Sequence, residues 1–371
     1  MKLAIVRQKY TPYGGAERFV QRALEALVER GVEVEVIARR WAETATGVRC
    51  DPFYLGRLWR DTGFARCVRK VIDAGCYDLV QSHERIPGCH VYRAGDGVHA
   101  TWLELRSATQ NPVQRLAARL QPWHRYTLAA EAAMFRHPAL RAVICNARMV
   151  KEDIERRFPE TAGKLHVIHN GVDLDCFHPG LRAEFRRPLR EKVSAGGTAP
   201  VILFVGSGYA RKGVATLIEA LACMKTRDAE VWVVGRDSHP DHYLRQARRL
   251  GVSGRVRLLG PQTDVRPYYA AADVFCLPTL YDPFPNAALE AFACGLPVVT
   301  TTTCGAAELV ADGDNGWVVV PNDPAALGLR LDEACAGMAS QPRCDAMRGT
   351  VLGLDWNVLA GQLTNLYRDL L

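Results

Sequence analysis

Short apolar strands and amphipathic helices alternate regularly through the second half of this chain. Helices are predicted to begin at Val214, His239, Val265 and Asn286. Between them stand strand-like segments: VILFVG (201–206), EVWVVGR (230–236), RVRLLG (255–260), VFCLP (274–278) and LPVVTT (296–301). This alternation predicts a parallel sheet covered by helices, because parallel neighbouring strands need a crossover connection.

The first half of the chain shows the same alternation. KLAIVRQ (2–8) is predicted as a buried strand, Ala16 to Arg30 as a helix that ends at Gly31, and VEVEVIAR (32–39) as a second strand. More short strands are predicted at DLVQSH (78–83), CHVYRA (89–94) and AVICNA (142–147), and LHVIHNGVD (165–173) closes this half. A second doubly wound unit follows from this pattern.

The predicted fold class is therefore α/β, with two Rossmann-like doubly wound domains facing a central cleft. The chain of 371 residues has room for two domains. Residues 181–199 are rich in Arg, Pro and Gly without a periodic apolar pattern, and we interpret them as the linker region. The predicted domains are 1–180 and 181–355, followed by an amphipathic helix, 356–371, that packs back across them. Ligands are expected at the carboxyl ends of the strands.

Composition narrows the setting in which the protein works. No apolar run approaches the roughly 18 residues of a membrane span, and the run from Leu3 to Val6 is too short for a signal peptide, so we expect a cytoplasmic protein. Its 12 cysteines are scattered singly without a C-x-x-C motif, so neither zinc nor a disulfide is expected. The net charge of +7 suggests an anionic partner. No nucleic-acid-binding pattern accompanies that charge, so nucleic acid is not expected.

The segment TLYDPFPNAALEAFACGLPVVTT (279–301) combines two carboxylates with a predicted helix start. If the helix begins near Asn286, Glu290 lies one turn further on the same face, and Asp282 lies in the loop before it. Unpaired N–H groups at a helix N-terminus attract anions, while carboxylates are suited to sugar hydroxyls. The segment therefore predicts a ligand that carries both phosphate and sugar.

A glycine-rich turn, VGSGYARKG (205–213), follows the first strand of this half and precedes a helix. Gly206 and Gly208 allow close backbone approach, and Arg211 and Lys212 place two cations beside free N–H groups, which suits a diphosphate. An ordinary turn with solvated basic residues is the alternative. The spacing is not that of a Walker A loop.

The loops of the first half contain weaker candidates. Gly15, in the turn TPYGGAERF (11–19), indicates either close approach of a ligand or an ordinary turn. Asp96 and His99 follow a predicted strand and could orient or deprotonate an acceptor hydroxyl, or form a solvated Asp-Gly turn. His83 is a further candidate at another strand end. The D-x-D of Asp312–Asp314 is predicted to be a tight turn, and no bound metal is expected.

The region from Leu105 to Ala130 lacks acidic residues and carries several arginines. In its middle, apolar residues fall on one helical face opposite Arg115 and Arg119, with Trp123 and Tyr126 following. This pattern is typical of an interfacial helix on an anionic membrane, and also of an amphipathic helix docked on its own domain.

Three motifs, in this order and spacing, resemble the retaining glycosyltransferases of family 4, which have the GT-B fold. They are HNGVDLDCFHP (169–179), VGSGYARKG (205–213) and DPFPNAALEAFACGLPVVTT (282–301). The segments 10–19 and 86–96 resemble the branch of WaaG-like lipopolysaccharide core glucosyltransferases. The resemblance covers nearly the whole chain and implies an acceptor-binding first domain and a nucleotide-sugar-binding second domain.

The resemblance also implies residue roles. Arg211 and Lys212 would hold the donor diphosphate, and Asp96 and Asp282 would join Lys212 in catalysis. The remaining implied donor contacts are Gly15 at the diphosphate, Asn286 and Ala287 through their backbone, Glu290 at the ribose, and Val265 and Arg236 near the base. Two positions depart from the usual pattern: Asp282 stands where most members have Glu, and Ser207 where many have Arg.

The function implied is metal-independent, retaining transfer of a hexose, most simply glucose from UDP-glucose, to lipopolysaccharide core or a related lipid-linked oligosaccharide. No cofactor is expected beyond the nucleotide-sugar substrate. The enzyme would lie at the inner face of the plasma membrane, with His83 and His99 as possible acceptor contacts. Alternatives are transfer from UDP-N-acetylhexosamine or GDP-mannose into surface polysaccharide, a nucleotide-sugar epimerase of the same architecture, and a non-catalytic sugar-nucleotide-binding protein.

Overall fold

The computed structural model describes residues 1–9, 28, 31–40, 47–75, 77–193, 199–337 and 341–371. The chain divides into two compact units, Met1–Asn170 with Trp356–Leu371, and Gly171–Asp355. Each unit is built on a parallel sheet with helices, so the predicted doubly wound α/β class is confirmed. Of the predicted helix from Ala16 to Arg30, only Val28 lies within the described residues.

The first unit contains a seven-stranded parallel sheet with the strand order β3-β2-β1-β4-β5-β6-β7. Its strands are β1 Lys2–Lys9, β2 Glu33–Arg40, β3 Gly47–Arg49, β4 Leu79–Ser82, β5 Val91–Arg93, β6 Ala142–Cys145 and β7 Leu165–Val167. In β1, Leu3 pairs with Val34 on one side and Leu79 on the other. Leu3 is fully buried, as an apolar residue in a strand covered on both faces should be.

Helices of the first unit run at Gly56–Asp73, His99–Ala108, Pro112–Leu120, Pro122–Phe135, Arg148–Arg157 and Trp356–Asp369, with a 3₁₀ turn at Pro159–Thr161. The last of these helices comes from the end of the chain. Leu359, Leu363 and Leu366 pack in the core cluster that contains Leu3. The Tyr367 hydroxyl donates to Oε1 of Gln81 at 2.6 Å, so this helix is an integral part of the first unit.

The second unit contains a six-stranded parallel sheet with the strand order β10-β9-β8-β11-β12-β13. Its strands are β8 Val201–Val205, β9 Glu230–Val234, β10 Val256–Gly260, β11 Val274–Leu277, β12 Val298–Thr301 and β13 Gly316–Val319. Its helices are Leu181–Val193, Tyr209–Lys212, Val214–Cys223, Pro240–Arg249, Arg266–Ala271, Asn286–Ala293, Pro324–Ala336 and Gln341–Gly349, with 3₁₀ turns at Ser253–Arg255, Gly305–Leu309 and Leu352–Leu354. In this unit, the strands predicted at 201–206, 230–236, 255–260, 274–278 and 296–301 agree with the structure to within two residues at each end.

The linker interpretation of residues 181–199 is wrong, because Leu181–Val193 is a helix of the second unit. Three of its arginines pair with one buried carboxylate. Arg186 Nη2 lies 2.7 Å from Oδ1 of Asp273, and Arg190 and Arg182, one turn to either side, pair with the same carboxylate. Asp273 is buried and also accepts the amide of Val201 at 2.9 Å. Residues spaced by four share a helix face, which brings the three guanidiniums to one anion.

The expectation that the chain has no disulfide is also wrong. Cys50, directly after β3, is bonded to Cys67 in the Gly56–Asp73 helix, with their Cα atoms 5.7 Å apart. The other described cysteines are free thiols, and most are buried. The described residues contain no group of His, Cys, Asp or Glu side chains arranged to hold a metal ion. Among the described residues, no helix has the length and apolar character needed to cross a membrane.

Candidate active site

The loop after β8 approaches the neighbouring strand ends closely. Gly208 has a φ of +75° and its amide donates to the carbonyl of Arg236 at 3.0 Å. Gly213 has a φ of +77°, and a Cβ there would overlap the carbonyl oxygen of Pro278. Positive φ favours glycine at both positions, and at Gly213 a side chain would also have no room. The loop therefore places the short Tyr209–Lys212 helix against the end of β11.

Lys212, Arg211 and Asp282 form the charged centre of this region. Lys212 Nζ lies 2.8 Å from Oδ2 of Asp282, and Arg211 Nη1 lies 3.6 Å from the same oxygen. Arg211 also donates to the carbonyl of Tyr281 at 2.9 Å. Burial alone would raise the pKa of Asp282, but the two cations outweigh it and lower that pKa, so the carboxylate is ionised. The structure thus joins the two motifs that the sequence singled out.

Glycine at position 206 makes room for the catalytic candidate Lys212. A Cβ at Gly206 would stand only 2.6 Å from Cδ of Lys212, so the lysine stem lies directly over the glycine. The Lys212 side chain is only 12% exposed, whereas that of Arg211 is 39% exposed. The lysine is therefore held in one place, and the arginine reaches into solvent.

Glu290 lies in the Asn286–Ala293 helix, one turn after its start, as predicted. It is buried, and the hydroxyl of Tyr269 donates to its Oε2 at 2.8 Å. Tyr269 is in the helix whose N-cap is Val265, and its amide donates to the Val265 carbonyl. Tyr269 thus connects Glu290, which is expected to bind the ribose, with Val265, which is expected to lie near the base. Tyr269 itself was not predicted as a site residue. A tyrosine one turn after Val265 is the signal that was available.

Ser207 and Arg236 join the loops after β8 and β9. Ser207 Oγ accepts the amide of Arg236 at 3.2 Å. Where many family members carry an arginine, this chain therefore uses a hydroxyl that fixes the backbone of Arg236. Gly235, the residue before it, has a φ of +140°, and a Cβ there would overlap the Gly206 carbonyl oxygen.

Gly235→Ala is expected to lower the free energy of unfolding by about 2–3 kcal/mol, because alanine at this φ is strained and its methyl group displaces the Gly206 loop. Urea titration followed by circular dichroism measures the change. Gly254→Ala is the matched control, since a Cβ there meets nothing within 4 Å. Equal stability of the two variants would contradict the close approach.

The candidate site residues of the first unit lie in different environments. Asp96 is exposed in the turn after β5, as predicted. His83 is partly buried, its Nε2 lies 3.1 Å from Nε2 of Gln81, and burial together with the Arg7 and Arg93 charges lowers its pKa. Gly15, with its whole turn, lies outside the described residues.

His99 is not in a loop, which corrects the sequence-based placement. It is the first residue of the His99–Ala108 helix and is 6% exposed. Its Nε2 lies 3.0 Å from Nδ1 of His124, and its ring packs edge-on against Trp123. Burial, the Arg85 charge, His124 and Arg57 lower the pKa of His99 to about 3. The ring is therefore neutral and directed into the unit, a geometry that does not favour acceptor contact.

The lowered pKa of His99 predicts a pH-dependent stability. Below pH 6.5 the unfolded chain binds a proton that the folded ring does not take up until about pH 3, so stability is complete above pH 6.5 and falls below it. At pH 5.5 the buried His99 should therefore lower the free energy of unfolding by about 1.4 kcal/mol relative to pH 7.5. Between these two pH values, urea unfolding should show a smaller decrease in the free energy of unfolding for His99→Asn than for the wild-type protein. His242→Asn, which changes an exposed site, should show the same decrease as the wild-type protein. Identical decreases would contradict the buried neutral ring.

Two further residues beside the Asp96 turn were missed. Glu131 is 1% exposed in the Pro122–Phe135 helix, and Arg85 donates to its Oε1 at 2.8 Å. The available signal was a carboxylate within the apolar segment TLAAEAAMF, directly after the acid-free region. A buried carboxylate needs a cationic partner, and Arg85 provides it.

The Pro112–Leu120 helix does not bury its apolar face. Val113 is 76% exposed, Leu116 58% and Leu120 64%, and no residue of this helix is buried. The helix is nevertheless well terminated, because Asn111 and Gln114 form a reciprocal capping box. The structural alternative, a helix docked by its apolar face on its own domain, is therefore wrong.

Both halves of the chain match known protein families. Residues 199–336 match the family described as Glycosyl transferases group 1, and residues 13–176 match Glycosyltransferase Family 4. A D-inositol 3-phosphate glycosyltransferase of Actinosynnema mirum is 30% identical over 382 residues, covering 88% of this chain and 87% of the relative.

Two comparisons concern lipopolysaccharide enzymes. The lipopolysaccharide glucosyltransferase WaaG of Escherichia coli (strain K12) is 27% identical over 330 residues, covering 86% of this chain and 85% of the relative. A crystal structure of WaaG, a glycosyltransferase involved in lipopolysaccharide biosynthesis, superposes with a TM-score of 0.81 at 25% identity, over 98% of this chain and 99% of that one. The structural match supports the GT-B fold.

Proposed function

The chain belongs to the family 4, or group 1, glycosyltransferases, and from this premise we propose that it transfers glucose from UDP-glucose, with retention and without a metal, to lipopolysaccharide core or a related lipid-linked oligosaccharide. The observation that carries the proposal is the Lys212–Asp282 pair, with Arg211 beside it, at the carboxyl end of the second unit's sheet. The similarity to the E. coli lipopolysaccharide glucosyltransferase supports the choice of sugar and acceptor.

Lys212 and Arg211 would stabilise the diphosphate as it leaves. Charge develops on the phosphate oxygens as the bond to the sugar breaks, and fixed cations lower the energy of that state without reorganisation. The N-terminus of the Asn286–Ala293 helix would add the amides of Asn286 and Ala287. This set of groups is the reason to propose metal-independent transfer.

The remaining roles follow from the burial and pairing of the carboxylates. Glu290, fixed by Tyr269, would accept from the ribose hydroxyls, and Asp282 would contact the donor sugar's hydroxyls. Arg236 and Val265 would lie near the base. Asp282 is buried and paired with Lys212, which disfavours it as a covalent nucleophile. We therefore propose front-face substitution, in which the acceptor oxygen bonds to the anomeric carbon as the diphosphate leaves with the bonding electrons. Asp96 would orient the acceptor hydroxyl and take its proton.

Calorimetric titration of the purified protein with UDP, GDP and ADP in EDTA tests the donor site. Selective binding of UDP, weakened in Lys212→Ala, is the expected result, and it would justify turnover assays with UDP-glucose and truncated lipopolysaccharide. Preference for GDP would instead favour GDP-mannose as the donor. If the folded protein bound none of the three nucleotides, the proposed site would be wrong.

We further propose that the exposed face of the Pro112–Leu120 helix binds an anionic membrane surface, at the inner face of the plasma membrane. Its apolar residues lie on the helical face opposite Arg115 and Arg119, and an exposed helix with one apolar and one cationic face suits an anionic lipid interface. Phe53 and Trp59, exposed near the start of the Gly56–Asp73 helix, extend the apolar surface of this unit.

The triple variant V113S/L116S/L120S should lose most of its binding to vesicles that contain phosphatidylglycerol, because each replacement removes apolar area from the interface. Flotation of vesicles with bound protein measures the loss. The control is L250S/L329S, which changes exposed apolar residues of the second unit. Equal binding of both variants would contradict the proposed role of this helix.

An inositol phosphate is a second candidate acceptor. Three relatives named as D-inositol 3-phosphate glycosyltransferases match 84% to 89% of this chain at 29% to 30% identity. Parallel assays with truncated lipopolysaccharide and inositol 3-phosphate as acceptors separate the two candidates. These glycosyltransferase relatives leave the epimerase alternative without support.

A further inference from the structure

The turn that carries Asp96 is held by side chains from three other segments of the chain, and two of these side chains are buried. The turn lies between β5 and the His99–Ala108 helix, and Gly97 has a φ of +65°. Asp96 is its exposed tip. Within the turn, the amide of Gly97 donates to the carbonyl of Ala94 at 3.1 Å, which closes it tightly.

Arg85 contacts the turn on its carboxyl side. Its Nη2 donates to the carbonyl oxygen of Gly97 at 2.9 Å, and its Nε donates to Oε1 of Glu131 at 2.8 Å. The planar guanidinium makes both bonds at once, so that the position of Glu131 and the position of the turn are linked. A lysine has one nitrogen and cannot reproduce this geometry.

Glu131 holds the residue that follows the turn. The same Oε1 accepts the amide of His99 at 2.9 Å, at the first position of a helix that lacks a side-chain cap at Val98. A carboxylate at a helix N-terminus is favoured by the helix dipole. Because Glu131 is 1% exposed and also paired with Arg85, it has little freedom to move. Asn146, itself buried, donates to the carbonyl of Gly95 at 3.4 Å on the opposite side.

We infer that Arg85 and Glu131 are positioning residues, which fix the Asp96 carboxylate for its contact with the acceptor hydroxyl. Catalytic groups must be held to within about half an ångström, and an exposed turn alone does not supply that rigidity. Here the carbonyl of Gly97 and the amide of His99, which follow Asp96 in the chain, are both bonded to the Arg85–Glu131 ion pair. The inference rests on the proposed role of Asp96.

Steady-state kinetics of Arg85→Lys, Asp96→Asn and the double variant, with UDP-glucose and truncated lipopolysaccharide, test the inference. We expect Arg85→Lys to lower kcat about 10- to 100-fold, with KM for UDP-glucose changed by less than about twofold. In the Asp96→Asn background, Arg85→Lys should have no further effect, because the two act through one carboxylate. Arg136→Lys is the control, since Arg136 makes an exposed pair with Glu160 from the end of the same helix as Glu131.

Hydrogen exchange of the full chain gives a readout that does not depend on activity. The amide of His99 should exchange faster in Glu131→Ala than in the wild-type protein, and Glu131→Gln, which keeps an acceptor, should restore most of the protection. The inference is overturned if the His99 amide exchanges at the wild-type rate in Glu131→Ala and Arg85→Lys keeps the wild-type kcat.

Two other outcomes separate this inference from the proposal on which it rests. If Arg85→Lys lowers kcat by the same factor with and without Asp96, it acts through general stability, and the positioning role is overturned. If Asp96→Asn leaves turnover unchanged, the proposed role of Asp96 is wrong, and the inference falls with it, whatever the exchange data show.

Discussion

Lys212→Ala is expected to lower kcat by about 100- to 1000-fold while the protein remains folded, the range typical for removal of one preorganised group that stabilises transition-state charge. Lys212 is the less exposed of the two cations, and its stem lies over Gly206, so its ammonium group has a fixed position. Arg211 is half-exposed and makes only the longer, 3.6 Å contact with Asp282. The arginine is therefore not expected to replace the lysine.

Turnover of UDP-glucose with truncated lipopolysaccharide measures this effect, and near-ultraviolet circular dichroism verifies the fold. Lys225→Ala serves as the control, because Lys225 is exposed in the same unit. Arg211 still faces Asp282 in the variant, so the buried carboxylate keeps a cationic neighbour and the second unit should stay folded. Unchanged turnover would remove Lys212 from the mechanism.

Asp273→Asn is expected to lower the free energy of unfolding by about 3–5 kcal/mol, the cost of leaving buried charges without their partner. Asp273 is 3% exposed and is the common anion for Arg182, Arg186 and Arg190. Asparagine keeps the size of the side chain but removes the charge, so the three guanidiniums would face one another without a counter-ion. The Leu181–Val193 helix should detach first, because these contacts join it to the sheet.

Urea unfolding of the variant measures the loss. Glu191→Gln is a matched control within the same helix, because it breaks the exposed pair of Arg187 and Glu191, which lies 3.3 Å apart with both side chains largely in solvent. Exposed pairs contribute about 0–1 kcal/mol, so the control should unfold nearly as the wild-type protein does. Losses of similar size in the two variants would show that burial of Asp273 does not matter.

The pairing of Asp282 also bears on its departure from the usual glutamate. Its carboxylate accepts from Lys212 at 2.8 Å, so that a donor diphosphate bound as proposed would share the lysine with Asp282. We expect Asp282→Asn to change both the affinity for UDP and the turnover. The substitution removes a carboxylate that competes with the diphosphate for Lys212, and it also removes a proposed contact to the donor sugar.

Most of the fold could be predicted from the sequence because the evidence for it is local. Apolar runs with a period of two or 3.6 predict strands and helices wherever they occur, and glycines after strands mark the loops. The start of the helix at Asn286 and the strand–loop–helix at VGSGYARKG follow from such patterns, and the structure has both. The family was also within reach, since its motifs are contiguous segments.

Interactions between distant residues could not be predicted in this way. The Leu181–Val193 helix is paired with Asp273, a single buried charge about 90 residues further on, and no local pattern in the sequence reveals this contact. Tyr269 with Glu290 and Arg85 with Glu131 are likewise pairs whose separation in the chain gives no sign of contact. The bond between Cys50 and Cys67 depends on a strand end meeting a helix.

The amino-acid sequence alone predicts the alternation of strands and helices, the two doubly wound units, the family and the motifs of the proposed donor site. Contacts in the folded chain were needed to show that His99 is buried, that the Pro112–Leu120 helix exposes its apolar face, and that Lys212 and Arg211 are the cations beside Asp282. The reason is physical. Backbone conformation depends on neighbours within a few residues, whereas burial, ion pairing and pKa depend on which distant side chains the folded chain brings together.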